Sequence, residues 1–268
     1  MKKFKDKVVV ITGAGSGIGR NLAIEFSKLG AKLALNDYNT DGLEETVGLL
    51  KSGTAVFQKV FDVSQKEEMF SFAAAVIEHY GQADVMINNA GVAITRLMAD
   101  EVSIEDYEWI MGINLWGVMY GSIAFLPHLR RQKESSLVNI SSLFGLVGIP
   151  GQAPYCMTKF AVRGFTESLH LEEQINKTGV AVSCVHPGGI KTNIAKSARG
   201  ASKDPNLIKK FEKVLTAPPK MAADTIIKGI RKKKARIIVG KDARAIHAVN
   251  QLARPVLLKL LQRSIKKL

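Results

Sequence analysis

Three side chains within the stretch NISSLFGLVGIPGQAPYCMTKFAVRGF have types and spacing suited to moving a proton at a carbonyl oxygen: Ser142, Tyr155 and Lys159. If residues 153–177 form a helix, Tyr155 and Lys159 stand at i and i+4 on one face. An ammonium beside a phenol favours phenolate, so a group that ordinarily ionises near pH 10 could act nearer neutrality. A hydroxyl delivered by the end of the preceding strand could hold a carbonyl oxygen beside that phenol. Together the three would form a general acid/base site for a carbonyl/alcohol couple. A Tyr-x-x-x-Lys pair alone is also what a solvent-facing helix carries by chance, so the reading depends on its surroundings.

Those surroundings alternate between strand-like and helix-like segments. Apolar, β-branched runs at 7–12, 32–36, 55–60, 84–88, 136–141, 180–185 and 236–239 predict strands. Helical periodicity falls at 17–29, 41–51, 64–80, 104–112, 114–131 and 153–177, with short helices before residue 233. Ser64 is the expected N-cap of its helix, with Glu67 completing a capping box. Strands of this kind separated by helices predict a parallel sheet covered on both faces, an α/β doubly wound fold. The stretch 187–205 reads as a loop, and no linker interrupts the chain before residue 240. The expected organisation is one domain over 1–240 and a basic amphipathic tail over 241–268.

Between the first strand and first helix runs TGAGSGIG, residues 12–19. Gly13, Gly17 and Gly19 permit a tight turn and close helix packing, and the helix N-terminus then offers free N–H groups to a pyrophosphate. The spacing is G-x-x-x-G-x-G rather than G-x-G-x-x-G. Asp37 ends the second strand, where a carboxylate can accept from the adenosine ribose hydroxyls and would repel a 2′-phosphate. Ser16 and Tyr38 are neutral, and Arg20 is expected to face solvent from the helix. NAD is favoured over NADP on these grounds. Asn36-Asp37 is also good turn chemistry, which is the plain alternative for Asp37.

Gly13-x-x-x-Gly17-x-Gly19, Asn88-Asn89-Ala90-Gly91, Asn114, Ser142 and Tyr155-x-x-x-Lys159 occur in an order and spacing that resembles the short-chain dehydrogenase/reductase family over about residues 6–195. The resemblance implies a Rossmann-like, seven-stranded sheet of order 3-2-1-4-5-6-7. It implies that Ser16, Ile18, Asn89, Ala90 and Gly91 border the cofactor, that Asp62 and Val63 meet the adenine, and that Pro187, Gly188 and Thr192 close over the nicotinamide end. Tyr155 would be the acid/base, and Lys159 would lower its pKa and bind the nicotinamide ribose. Ser142 would polarise the substrate oxygen, with Ser141 its rival, and Asn114 would hold a water that relays protons to solvent. A homodimer or homotetramer is implied as well. On the residues alone Asn114 reads as a helix kink or cap.

The rest of the composition narrows the field. Two cysteines, Cys156 and Cys184, make neither a disulfide framework nor a metal motif and suit a reducing cytoplasm. The histidines 79, 128, 170, 186 and 247 lack metal spacing, so no metal is expected; His186 reads as structural. No apolar run reaches the roughly 20 residues that span a bilayer. Of the net charge of +14, the segment 228–268 carries thirteen Lys/Arg against one acid, Asp242. Apolar residues recur at helical spacing in the tail, between Arg254, Lys259, Arg263, Lys266 and Lys267, and Pro255 should break the helix. The tail could cover a neighbouring subunit or the active site, or lie peripherally on the inner face of a membrane. Nucleic acid is disfavoured, because no aromatic residue interleaves these charges.

The substrate wall is expected from 92–98, 143–149 and the flap 189–201. Leu143, Phe144, Leu146, Val147 and Ile149 are apolar and suggest a lipophilic alcohol or ketone, although such residues also pack beneath loops. The leading expectation is an NAD-dependent alcohol dehydrogenase/carbonyl reductase. The alternatives are an NADP-linked reductase of acyl carriers and a dinucleotide-binding sensor or scaffold without turnover.

Overall fold

The computed structural model describes residues 1, 3–94, 97–195, 198–199 and 215–265, without the side chains of 195 and 263–265. The strands are β1 (Val8–Thr12), β2 (Lys32–Asp37), β3 (Val56–Val60), β4 (Val85–Asn88), β5 (Ser135–Ile140), β6 (Val180–Pro187) and β7 (Arg236–Val239). They form one sheet of order β3-β2-β1-β4-β5-β6-β7, parallel throughout. β1, β4 and β5 are buried along their whole length; β1 and β4 accordingly read as apolar runs rather than alternating ones, whereas β5 also buries Ser135, Ser136 and Asn139. The order reverses between β1 and β4, and in such sheets the crevice at the carboxyl ends of those strands receives the ligand.

Helices cover both faces. α1 (Gly17–Lys28), α2 (Thr40–Gly48) and α7 (Pro219–Arg231) enclose one core through Leu22, Phe26, Leu43 and Ile226. α3 (Lys66–Tyr80), α5 (Gly117–Leu129) and α6 (Ala153–Ile175) enclose the other through Phe72, Phe125 and Leu169. Most elements lie within two or three residues of their expected bounds.

Three local expectations need correction. Gln65, not Ser64, is the N-cap of α3 and makes no side-chain cap bond. The Ser64 N–H donates instead to Asp62 Oδ1 at 2.9 Å, an Asx-turn that competes with the capping box. Residues 104–131 do not form two separate helices: α4 (Ile104–Met111) runs through a π-helical turn, Gly112–Trp116, into α5. The rod Ile104–Leu129 is long and apolar enough to cross a membrane by length and composition. More than half of it is buried, and Asn114 and Ser122 lie fully inside it, so it reads as a core helix. Finally, α6 stops at Ile175 rather than 177.

Beyond β7 the chain forms α8 (Lys241–Leu252) and α9 (Arg254–Ile265), broken at Ala253 just before Pro255. The inner face of α8 places Ala243 and Ile246 against Leu143, Leu146 and Phe144. Lys266 and Lys267 lie outside the described residues.

Candidate active site

Tyr155 and Lys159 occupy the first two turns of α6, and Ser142 follows the end of β5, so adjacent elements deliver all three to the carboxyl end of the sheet. Lys159 Nζ lies 5.5 Å from the centroid of the Tyr155 ring. It donates to the Ile140 carbonyl at 3.1 Å, and the residue is 3 % exposed. The Ser142 hydroxyl accepts from Phe144 N–H at 3.1 Å, capping the short 3-10 turn Leu143–Gly145, and also bonds the Tyr155 hydroxyl. Phe144 stands edge-on to Tyr155, ring centroids 5.9 Å apart. Ser141 has different work: its hydroxyl donates to the Lys159 carbonyl at 2.7 Å, on the other side of the strand end.

Asn114 sits in the π-helical turn. Its Oδ1 accepts from Val92 N–H at 2.8 Å and its Nδ2 donates to the Val92 carbonyl at 2.9 Å. A π turn inserts a residue and turns side chains out of the helical register, a distortion common at functional sites. Gly91 lies between two of the expected residues: a Cβ there would sit 3.3 Å from both Asn114 Oδ1 and Lys159 Nζ.

The electrostatics differ from the expectation. Burial pushes the Tyr155 hydroxyl up to about 12, opposed by its bond to Ser142. Burial pushes Lys159 down to about 8. In the protein alone Lys159 therefore loses its proton well before Tyr155 ionises, and the ammonium is gone when the phenol needs it. Lowering of the Tyr155 pKa by the ammonium, beyond what Ser142 supplies, requires a polar partner that keeps Lys159 charged.

His186, at the end of β6, is fully buried. Its Nδ1 lies 2.9 Å from the Ser142 carbonyl, which can only accept, so Nδ1 carries the proton. Burial lowers its pKa to about 4, and the ring is neutral at physiological pH. It braces the Ser142 backbone from the neighbouring strand.

The glycine turn fits a dinucleotide. Gly13 and Gly17 have φ of +64° and +52°, in the left-handed region. A Cβ on Gly13 would approach Ala90 Cα to 2.7 Å, and one on Gly19 would collide with the Gly13 carbonyl. Ser16, the N-cap of α1, is exposed and makes no side-chain cap bond, which leaves the first amides of the helix directed at the turn. Ile18 packs against the core behind it. Asn89 fixes the turn from β4, its Nδ2 donating to the carbonyls of Thr12 (2.9 Å) and Gly13 (3.0 Å). Thr12 Oγ1 accepts from the N–H groups of Asn89 and Ala90. Thr192 reaches over the turn: its Cγ2 would lie 3.0 Å from a Gly17 Cβ.

Asp37, expected at the adenosine ribose, stands at the end of β2 beside the glycine turn. Its Oδ2 accepts from Gly15 N–H at 2.7 Å and its Oδ1 from Asn39 N–H at 3.0 Å. Asp62 is exposed beside the end of β3, and Val63 is buried under Gly117. Arg20 does not face solvent as expected. It donates to Thr46 Oγ1 at 3.0 Å, to the carbonyls of Gly15 and Gly42, and through both terminal nitrogens to Glu45. Arg20 thus ties α2 to the glycine turn with its charge already paired. Glu45, 25 residues away, carried no local pattern that could announce this pair.

At the end of β6, where the nicotinamide was expected, Pro187 is buried and the Gly189 N–H donates to Asp242 Oδ2 at 2.7 Å. Gly188 and Gly240 both leave room for that carboxylate, where a Cβ would collide. Asp242 stood out in the sequence only as the one acid among thirteen cations; its partner lies 53 residues away. The flap meets the body where Arg199 N–H donates to the Ala93 carbonyl at 3.1 Å and its side chain pairs with Asp106. Residues 95–96, 196–197 and 200–201, expected to form part of the substrate wall, lie outside the described residues. Among the described residues no His/Cys/Asp/Glu cluster could hold a metal.

Comparison with known proteins agrees with this geometry. The profile of the family described as short chain dehydrogenase matches residues 7–203. The chain is 44% identical over 256 residues to the oxidoreductase named SadH from Mycobacterium tuberculosis, covering 94% of this chain and 92% of that protein. It is 34% identical over 246 residues to epidermal retinol dehydrogenase 2 from Homo sapiens, covering 90% and 76%. Among solved structures, a short-chain dehydrogenase/reductase from Burkholderia phymatum in complex with NAD superposes with a TM-score of 0.88 at 28% identity, covering 96% of each chain.

Proposed function

The chain belongs to the short-chain dehydrogenase family, and from that premise we propose that it is an NAD-dependent dehydrogenase/reductase of a lipophilic secondary alcohol or ketone. The observation that carries the reading is that Asn114 and Lys159 meet beside Gly91, with the Tyr155 ring 5.5 Å from the Lys159 ammonium and Ser142 next to Tyr155. When bound there, the nicotinamide supplies or takes the hydride. The protein's part is positioning and proton transfer. The Ser142 hydroxyl holds the substrate oxygen. The Tyr155 hydroxyl gives that oxygen a proton in reduction and takes it back in oxidation. Lys159 must remain charged to ease the second step, and the hydroxyls of a nicotinamide ribose are the acceptors that would keep it so. Asn114, held by Val92, is placed to orient a water between Lys159 and solvent.

The preference for NAD rests on two features of the adenosine end. Asp37 opposes a 2′-phosphate, and Arg20, the nearest cation, is neutralised by Glu45. The lipophilic substrate rests on Phe144, set against Tyr155, and on the apolar cluster behind it. The names of the retinol and estradiol dehydrogenases among its relatives point the same way. The reading places the enzyme in the cytoplasm as a homo-oligomer. The outer face formed by Trp116 of the π-helical turn with Tyr120 and Ile123 of α5 would meet a second copy.

A panel of alcohols and ketones of increasing chain length, followed by NADH absorbance with both cofactors, tests the reading. Turnover should rise with chain length and favour NAD. No turnover with any pair, despite NADH binding, would leave a sensor; preference for NADP would leave a carrier-linked reductase.

A further inference from the structure

The outer face of the C-terminal helix pair carries a stripe of apolar side chains with no cover. Leu252 is 89% exposed, and Val256 and Leu260 are each 54% exposed. Val256 and Leu260, four residues apart, share one face of α9, and Leu252 stands exposed at the end of α8, just before the break at Ala253. The cations beside it are unpaired: among the described residues, Lys241, Arg244, Arg254 and Lys259 meet no carboxylate. The one acid of the region, Asp242, is turned inward to Gly189.

We propose that this face docks on an anionic phospholipid bilayer, with the apolar stripe in the acyl boundary and the cations among the headgroups. Exposed Leu and Val flanked by Arg and Lys is the pattern an interfacial helix uses, and each cation near such a surface strengthens binding about fivefold. A second copy is a poorer occupant, because pairing two such faces would bring their unpaired cations together. Nucleic acid would leave the exposed leucines in water, and the tail offers no aromatic residue for base stacking.

The docked face is fastened to the catalytic machinery. The inner side of α8 puts Ile246 in one cluster with Phe144, whose ring touches Tyr155, and Asn250 Nδ2 donates to the Leu146 carbonyl at 3.1 Å. Docking would set the apolar substrate wall next to the phase in which lipophilic alcohols dissolve. That consequence rests on the function proposed above; the surface itself does not.

The test is co-sedimentation of the full chain with phosphatidylcholine vesicles, with and without one-third phosphatidylserine, at low and high salt. The wild type should bind the anionic vesicles at least tenfold more tightly than the neutral ones, and high salt should reverse this. Leu252→Asp with Leu260→Asp should abolish binding, as should Arg254→Glu with Lys259→Glu. The second pair replaces only exposed charged residues, so it decides the question if the first perturbs the helices. Turnover of a short, water-soluble alcohol should be unchanged in both. The proposal is overturned if the wild type ignores anionic vesicles, or if both variants still bind them. It is also overturned if the variants change only the mass of the protein in solution, which would assign the stripe to a second copy. A chain that binds vesicles yet turns over nothing would refute the enzymatic reading and leave the docking surface standing.

Discussion

Lys159 should destabilise the protein that depends on it. Its ammonium is buried, with one carbonyl as its hydrogen-bond acceptor, and its pKa falls from the ordinary 10.5 to about 8. That gap corresponds to about 3 kcal/mol of unfavourable free energy carried by the charged native state below pH 8. Lys159→Met keeps an unbranched side chain, one atom shorter, and removes the charge. It also strips the Ile140 carbonyl of its donor, which costs about 1 kcal/mol. The variant should be more stable than the wild type at pH 7 by about 2 kcal/mol, or roughly 4 to 8 °C in melting temperature for a chain of this size. Between pH 8 and 10.5 the unfolded wild type binds a proton that the native state has released, so wild-type stability rises with pH there. The advantage of the variant should shrink across that window. Tyr155 acts in the opposite sense only above pH 10, and its contribution is common to both proteins.

Thermal melts of both proteins at several pH values from 7 to about 10, without dinucleotide, measure the difference directly. NADH-linked turnover of the same preparations measures what the charge is for. The expected pair of results is a more stable protein with almost no activity. A variant that melts below the wild type at pH 7, or an advantage that does not change with pH, would refute the claim that a buried charge is held here at a cost. Full turnover in the variant would remove Lys159 from the mechanism.

Tyr155→Phe should lose turnover by at least a factor of about 100, as expected for a missing acid/base, while NADH still quenches protein fluorescence normally; wild-type rates would exclude Tyr155. Glu45→Ala should release the charge of Arg20 beside the adenosine ribose and raise the NADP/NAD ratio of kcat/KM several-fold, and Asp37→Ala should raise it further. An unchanged ratio in both would put the discrimination elsewhere. Asp242→Ala should speed hydrogen–deuterium exchange at Gly189 and weaken NADH binding by about fivefold, whereas Asp242→Asn keeps an acceptor and should lose less. Equal exchange in the wild type and both variants would show that the contact does not hold the loop.

The fold was legible because its strands are buried on both faces. Val8–Ile11 and Val85–Ile87 read as apolar runs with no competing helical period, and the alternation of strands with helices predicts a parallel sheet covered on both faces; the strand order came only from the family resemblance. Tyr155, Lys159 and the glycine turn were legible because each is local: a helical turn in one case, a strand–turn–helix junction in the other. What the sequence hid depends on long-range approach. Arg20 seeming to face solvent was a fair inference from its helix alone, since nothing within α1 signals that α2 brings Glu45 and Thr46 to it. The capping box at Ser64 failed because Asp62, two residues earlier, claimed the same N–H.

The pKa of the phenol failed for a deeper reason. Helical spacing places an ammonium beside a phenol, but spacing says nothing of the desolvation that the same fold imposes on both. Burial moves the two groups in opposite directions, Tyr155 up and Lys159 down, so between about pH 8 and 12 both are neutral in the protein alone. Below that range the ammonium is charged but held at a cost, and a polar group entering the crevice would relieve that cost. Under the proposed function, the ligand that carries the hydride would also steady the charge of the acid/base site. An empty site would be chemically quiet toward alcohols, and the buried ammonium, unfavourable without that ligand, becomes favourable when it binds.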